Sequence, residues 1–272
     1  MAPAPIPAPV PESVPSLVSA TVKEDVNGIS PSLYYVPILN VQKPECDHDG
    51  MQAIKNGQGA TIAQLCESDY KICVQQGTCL LNEVGGLRMV HFSTRHGSVP
   101  TLTDRIKKDC PYGVGMENIC LDPYFTVAAD LNIYKLGDVL FVPSIRGLKL
   151  PTGEVHNGYF IVRDSGSSFK SEKRFDFFTG FDSGTDLANE FKKRGLDNKE
   201  NRFKFEKVNE DLAVKIRAQR NYPKISSRQQ TSATEYLKKI MASPIGTAKP
   251  GETAKPGEKA KPNDSTKTKK TN

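Results

Sequence analysis

No apolar run in this 272-residue chain approaches the ~18 residues that cross a bilayer as a helix, so no transmembrane segment is expected. Residues 1–20 lack both a basic start and an apolar core, so no signal peptide is read there. A mature form that begins after a removed signal has this look. None of the six cysteines forms a C-x-x-C pair, which argues against a zinc knuckle. No Walker loop, no G-x-S-x-G and no H-E-x-x-H occurs. His48 sits between Asp47 and Asp49, but adjacent side chains on a loop rarely converge on one ion. His91 and His96 stand five apart, outside helical metal spacing. No metal site and no cofactor are expected.

One sign of charge is also scarcer than it looks. The net charge is +6, yet seven lysines against three acids in residues 247–272 carry four of those charges. About +2 is left for the remainder, so the basic face of a nucleic-acid binder is not indicated.

Both ends are poor in core-forming residues. Pro3, Pro5, Pro7, Pro9, Pro11 and Pro15 alternate with alanine and other small residues, a pattern that favours extended polyproline conformation. Thr-Ala-Lys-Pro-Gly-Glu repeats at 247–252 and 253–258 and then degenerates. Without large apolar residues it is expected to be disordered. It reads as a solvated spacer, or as a cationic tail in weak contact with anionic envelope polymers. Between the ends lies enough chain for a sizeable core.

Cys46, Cys66, Cys73, Cys79, Cys110 and Cys120 all precede residue 130. An even number in one region reads as up to three disulfides made in an oxidising compartment. Fifteen pairings are open, and reduced buried thiols are the alternative.

Along the chain, 32–39 has strand character, and 51–54 with 61–66 suggests a short helix pair. Strands are expected at 77–81 and 87–92, joined through Gly85-Gly86. Three later elements read as helices. Thr185 can cap one that reaches Gly195. A second covers 206–220, with Val208, Leu212 and Ile216 at four-residue spacing. The third covers 233–241. The expected organisation is a disordered segment 1–19, a cysteine-bearing segment 20–77, a β-barrel 78–182, helices 183–242 and a disordered tail 243–272.

The chemistry concentrates on three aspartates. Thr126-Val127-Ala128-Ala129-Asp130 reads as a strand ending in a carboxylate. Asp164 ends the run Tyr159-Phe160-Ile161-Val162, and Asp176 interrupts Phe175-Asp176-Phe177-Phe178. In strand geometry Phe175 and Phe177 point one way and Asp176 the other. A carboxylate in so aromatic a run faces either water from an open sheet face or a cleft shaped for it.

An alanine-rich strand to Asp130, a Leu-Gly turn, an apolar strand, Asp164-Ser165-Gly166, Lys170 and an aromatic-flanked Asp176 together resemble the three-aspartate (3D) domain. That domain occurs in membrane-bound lytic transglycosylase A and small related peptidoglycan-cleaving proteins. The resemblance covers about 120–182. Where the family reads Asp-x-Gly-Gly-x-Ile-Lys-Gly, this chain keeps Gly166 and Lys170 but has Ser167, Phe169 and Ser171.

The resemblance implies a mainly β fold, a double-psi β-barrel with the cysteine-bearing segment and the helices packed outside. It implies a monomer of the bacterial periplasm or cell envelope that acts on peptidoglycan glycan strands. In lytic transglycosylases the muramic acid's own 6-hydroxyl attacks, so a single carboxyl group serves as acid and then as base. The resemblance assigns that role to Asp176. Asp164 and Asp130 are the supporting pair, or else they cap turns, as aspartate often does. Lys170, Ser165 and Gly166 are the substrate-binding candidates. A non-catalytic glycan-binding barrel and a structural or interaction module are the rival classes.

Overall fold

The computed structural model describes residues 28–41, 46, 50–93, 99–103, 109–166, 171–182 and 189–242. Both tails, His48, His96, Lys170 with residues 167–169, and Thr185 lie outside the described residues.

A mixed sheet of nine strands dominates the fold. The strands are β1 (Ser30–Asn40), β4 (Thr78–Glu83), β5 (Gly86–Ser93), β6 (Val99–Thr103), β7 (Thr126–Ala129), β8 (Val139–Phe141), β9 (Tyr159–Ser165), β10 (Arg174–Asp182) and β11 (Glu206–Lys207). Their order across the sheet is β11-β8-β9-β7-β10-β1-β4-β5-β6. β1 runs parallel to both β10 and β4, and β7 parallel to β9; the other pairs are antiparallel. The expected double-psi barrel is not closed: the order ends on β11 and β6, which pair with different neighbours.

The expected helix pair at 51–54 and 61–66 is instead a hairpin, β2 (Met51–Lys55) with β3 (Thr61–Cys66). Its turn uses the Asn56 side chain, which accepts from the Gln58 and Ala60 N–H groups. In β3, Ala63 and Leu65 turn their apolar side chains to the core, while Gln64 between them stays exposed. That period of two belongs to a strand, not a helix. A helix does follow, α1 (Glu67–Gln76), and ends at Gly77 in a left-handed conformation. The sulfurs pair as Cys46–Cys66, Cys73–Cys79 and Cys110–Cys120, with none free.

Toward the C-terminus come α2 (Glu190–Lys193), α3 (Glu210–Gln219) and α4 (Ser227–Ala242). Asn189 caps α2 by accepting from Phe191 and Lys192, and Asn209 caps α3 by accepting from Leu212. The start of the expected 206–220 helix is therefore given up to β11. No described helix is long and apolar enough to cross a membrane.

Alternation along β10 sorts its aromatics between two cores. Phe175 and Phe177 join Phe125, Val127, Phe160 and Phe191 on one side. Phe178 joins Val36, Tyr112, Cys120 and Leu237 on the other. A buried charge cluster ties the helices to this frame. Asp122 is fully buried and accepts two 2.9 Å bonds from Arg220, whose guanidinium also lies 3.5 Å over the Phe125 ring. Arg163, also fully buried, stands 3.7 Å from Asp122 and donates to the Cys120 and Lys224 carbonyls.

Candidate active site

Register places the two central aspartates in one row. Asp164 of β9 pairs with Ala128 of β7, Ala128 pairs with Asp176 of β10, and Asp176 pairs with Ser32 of β1. Two strand spacings separate the aspartates, roughly 10 Å between their Cα atoms. Within the row Ala128 alone separates them, and its short side chain leaves the two carboxyl groups within electrostatic reach of each other.

A bulge makes this row possible. Val127 pairs with Val162, but Ala128 pairs with Asp164, so Arg163 is an extra residue in β9. Arg163 is driven inward to the Asp122 cluster, and Asp164 emerges opposite Ala128. Without the extra residue, Arg163 would occupy the row.

The loop between Cys110 and Cys120 closes one side of the site. A β-carbon on Gly115 would strike the Arg163 carbonyl oxygen and come within 3.1 Å of the Asp164 side chain. Only glycine permits that approach. Asp164 accepts from the Ser165 N–H at 2.9 Å and also interacts with the Met116 N–H. Tyr34 of β1 completes the wall. Its ring lies 5.0 Å from that of Phe178, and its hydroxyl is buried against Asp164 without closing a well-aligned hydrogen bond.

Both carboxyl groups are pushed toward neutrality. Burial raises Asp176 to about 6, and Arg174 on the same strand face partly opposes this. Arg174 is itself held by a 3.0 Å bond to the Ser32 hydroxyl. Burial likewise raises Asp164 to about 6; the Ser165 N–H, the Tyr34 hydroxyl and the Met116 N–H oppose it, while the Asp176 charge adds to it. Asp176 Oδ1 is buried with no hydrogen-bond partner. An orphaned acceptor is costly unless something arrives to meet it. A carboxyl group that keeps its proton near pH 6 is suited to general acid work.

Asp130 is placed differently. It is buried at the end of β7, and its Oδ1 accepts from both the backbone and side-chain amides of Asn132, at 3.0 and 2.9 Å. The carboxylate thereby closes the turn that leads to Tyr134, whose hydroxyl donates to the Glu172 carbonyl just ahead of β10. Ser165 pairs with Ala129 beside the row, and Gly166 follows it. Among the described residues no cluster of three or more metal-ligating side chains occurs.

Tyr34, Ser32, Arg174 and Gly115 are site residues that sequence reasoning misses. Arg174 carries a usable signal, because it lies two residues before Asp176 and strand alternation puts both on one face. Tyr34 and Ser32 reach the site through long-range parallel pairing, which leaves no local trace.

The raised carboxyl groups have a consequence for stability. Unfolded, an aspartate titrates near 3.8; folded, Asp176 keeps its proton up to about 6. Its stabilising contribution is complete below about 3.8 and is lost as pH rises through 6. Asp176→Asn removes this loss. Its melting temperature should therefore exceed that of the wild type above pH 6, by the equivalent of about 1–3 kcal/mol. The gap should vanish near pH 4. A melting series from pH 4 to 8 checks this, and a constant difference would refute it.

The family model described as the 3D domain matches residues 125–191, about a quarter of the chain, and spans all three aspartates. No curated protein matches the chain in sequence. Among solved structures, the chain is similar to Escherichia coli MltA with bound chitohexaose, at 12% identity and TM-score 0.45, covering 65% of this chain and 70% of that one. It is similar to the membrane-bound lytic murein transglycosylase of Agrobacterium tumefaciens, at 14% identity and TM-score 0.44, covering 69% and 76%. The lytic transglycosylase LtgG of Burkholderia pseudomallei is also similar, at 14% identity and TM-score 0.36, covering 64% and 69%. Likenesses this distant carry no argument of their own.

Proposed function

We propose that this protein is a peptidoglycan lytic transglycosylase that cleaves the β-1,4 bond between N-acetylmuramic acid and N-acetylglucosamine and leaves a 1,6-anhydro end. One observation carries the reading. Inside the 3D-domain match, two aspartates flank a single alanine and burial raises both to about 6, so the pair can hold one shared proton there.

Asp176 is the acid. Its proton passes to the glycosidic oxygen as the C1–O bond breaks, and the oxocarbenium-like sugar is left beside the Asp164 carboxylate. The muramic 6-hydroxyl oxygen then bonds to C1, and its proton returns to Asp176. Proton and electron pairs balance without water. Asp164 supplies negative charge on one side of the site, which favours the proton on Asp176 and steadies the cationic sugar. Asp130 shapes the turn that carries the end of β7. Lys170, Ser165 and Gly166 are proposed to meet the substrate. An envelope location and a monomeric state belong to the same reading.

Digestion of purified sacculi, followed by mass analysis of the soluble fragments, tests this. Anhydro-ended muropeptides are expected, about 18 mass units lighter than the ends a two-carboxylate hydrolase would leave. Hydrolysed ends would replace the reading with a glycosidase. Sacculi that are bound but left intact would favour a non-catalytic glycan binder, the class suggested by Ser167 and Ser171 where the family has glycine.

A further inference from the structure

Tyr34 lies outside the 3D-domain match, on a strand far upstream in sequence, yet its hydroxyl is built into the carboxyl pair. Its ring is fixed by Phe178 and by the cluster containing Val36, Tyr112 and Cys120. The phenol cannot swing away without breaking that packing. Its oxygen is buried against Asp164 but closes no well-aligned hydrogen bond, and Asp176 Oδ1 in the same site is buried without a partner. Two such unsatisfied polar atoms in one site seldom persist without a role.

Among the described residues, three charged groups act on this hydroxyl. Asp164 and Asp176 lie on the neighbouring strands, and Arg163 lies behind, turned toward the Cys120 and Lys224 carbonyls. Asp164 also faces the Met116 and Ser165 N–H groups, and Asp176 faces Arg174. Burial and both carboxylates hold the phenol far above its ordinary titration range, so it stays an O–H donor at any working pH. A permanent donor beside two competing carboxyl groups favours the ionised form of whichever it meets. It meets Asp164.

We propose that Tyr34 is a positioning residue that divides one proton between the two aspartates. Its hydroxyl donates to Asp164, Asp164 stays ionised, and the proton is left on Asp176. The inference rests on the reading of Asp176 as the acid. It adds that β1, rather than the aspartate-bearing strands alone, decides which carboxyl group is charged.

Tyr34→Phe keeps the ring and removes the donor. Carbon-13 titration of the aspartate carboxyls in the full chain should show Asp164 titrating higher and Asp176 lower, each by roughly half a unit or more. In sacculus digestion, kcat should fall about tenfold with KM unchanged, and the basic limb of the pH profile should move to lower pH. Asp164→Asn gives a second route that leaves Tyr34 in place. There Asp176 should titrate lower, the Tyr34 ring signals should move as the hydroxyl loses its acceptor, and adding Tyr34→Phe should shift Asp176 no further. Unmoved titrations in a folded Tyr34→Phe, or unmoved Tyr34 signals in Asp164→Asn, overturn the proposal. If the wild type releases nothing from sacculi, the assigned function fails, while the titrations still decide the role of Tyr34.

Discussion

Asp176→Asn is expected to fold, to bind sacculi and to release almost no anhydro-muropeptides. Asparagine keeps the shape and accepts hydrogen bonds, but it has no proton for the leaving oxygen. General acid catalysis is worth about 10²–10⁴-fold, and here the same group also takes the proton back from the 6-hydroxyl. The loss should therefore lie toward the upper end of that range. Binding should persist, because the row around Asp176 keeps Arg174, Ser32 and Ala128 in place. Rate and stability should move in opposite directions, since the substitution also removes a carboxylate that is buried against its preference. Asp164→Asn should lose less, because its part is to supply charge rather than a proton. Digestion rates with binding measured in parallel decide the matter. Wild-type turnover by a folded Asp176→Asn would move the acid role to another residue.

The legible features share one physical basis, a local pattern. The aromatic run around Asp176 placed Phe175 and Phe177 in one core and Phe178 in another, as strand alternation requires. The strands at 32–39, 77–81 and 87–92 and the helix over 233–241 were also readable from local runs of apolar residues. The 51–66 stretch misled because short apolar runs fit either period until their partner is known. The β9 bulge at Arg163 could not be read at all, because it is defined by what pairs with β7. By sequence Asp130 reads as a supporting partner of Asp164 or as a turn cap, and which of the two it is depends on the fold: its carboxylate accepts from Asn132 in a turn. Tyr34 needs the β1–β10 pairing, and Gly115 needs the loop between Cys110 and Cys120 to fold over Asp164. In each case the missing information is a contact across the chain.

The buried charge cluster behind the site carries the largest expected stability effect. Asp122 faces the guanidinium of Arg220 at 2.9 Å and that of Arg163 at 3.7 Å, with both partners buried. Asp122→Asn leaves two cations with no compensating charge between them. Arg220 keeps Glu154 at 2.6 Å and the face of Phe125, so it is partly provided for. Arg163 keeps the neutral carbonyls of Cys120, Pro223 and Lys224 and the Tyr222 ring, 5.2 Å away, but none of these carries a full negative charge. Removing one partner of a buried ion pair typically costs about 3–5 kcal/mol, because the other charge stays in the interior unpaired. In a domain this size that should lower the melting temperature by roughly 6–20 °C. Arg163 is also the bulge residue that sets Asp164 opposite Ala128, so relaxation toward solvent would draw Asp164 out of the row. Activity should then fall even at temperatures where the variant remains folded. Adding Arg163→Met to Asp122→Asn removes the stranded cation and should recover part of the lost stability. Thermal melts of the single and double variants, read with sacculus digestion, test both parts. A single variant within 1 °C of wild type, or a double variant less stable than the single, would show that the cluster does not hold the bulge in place.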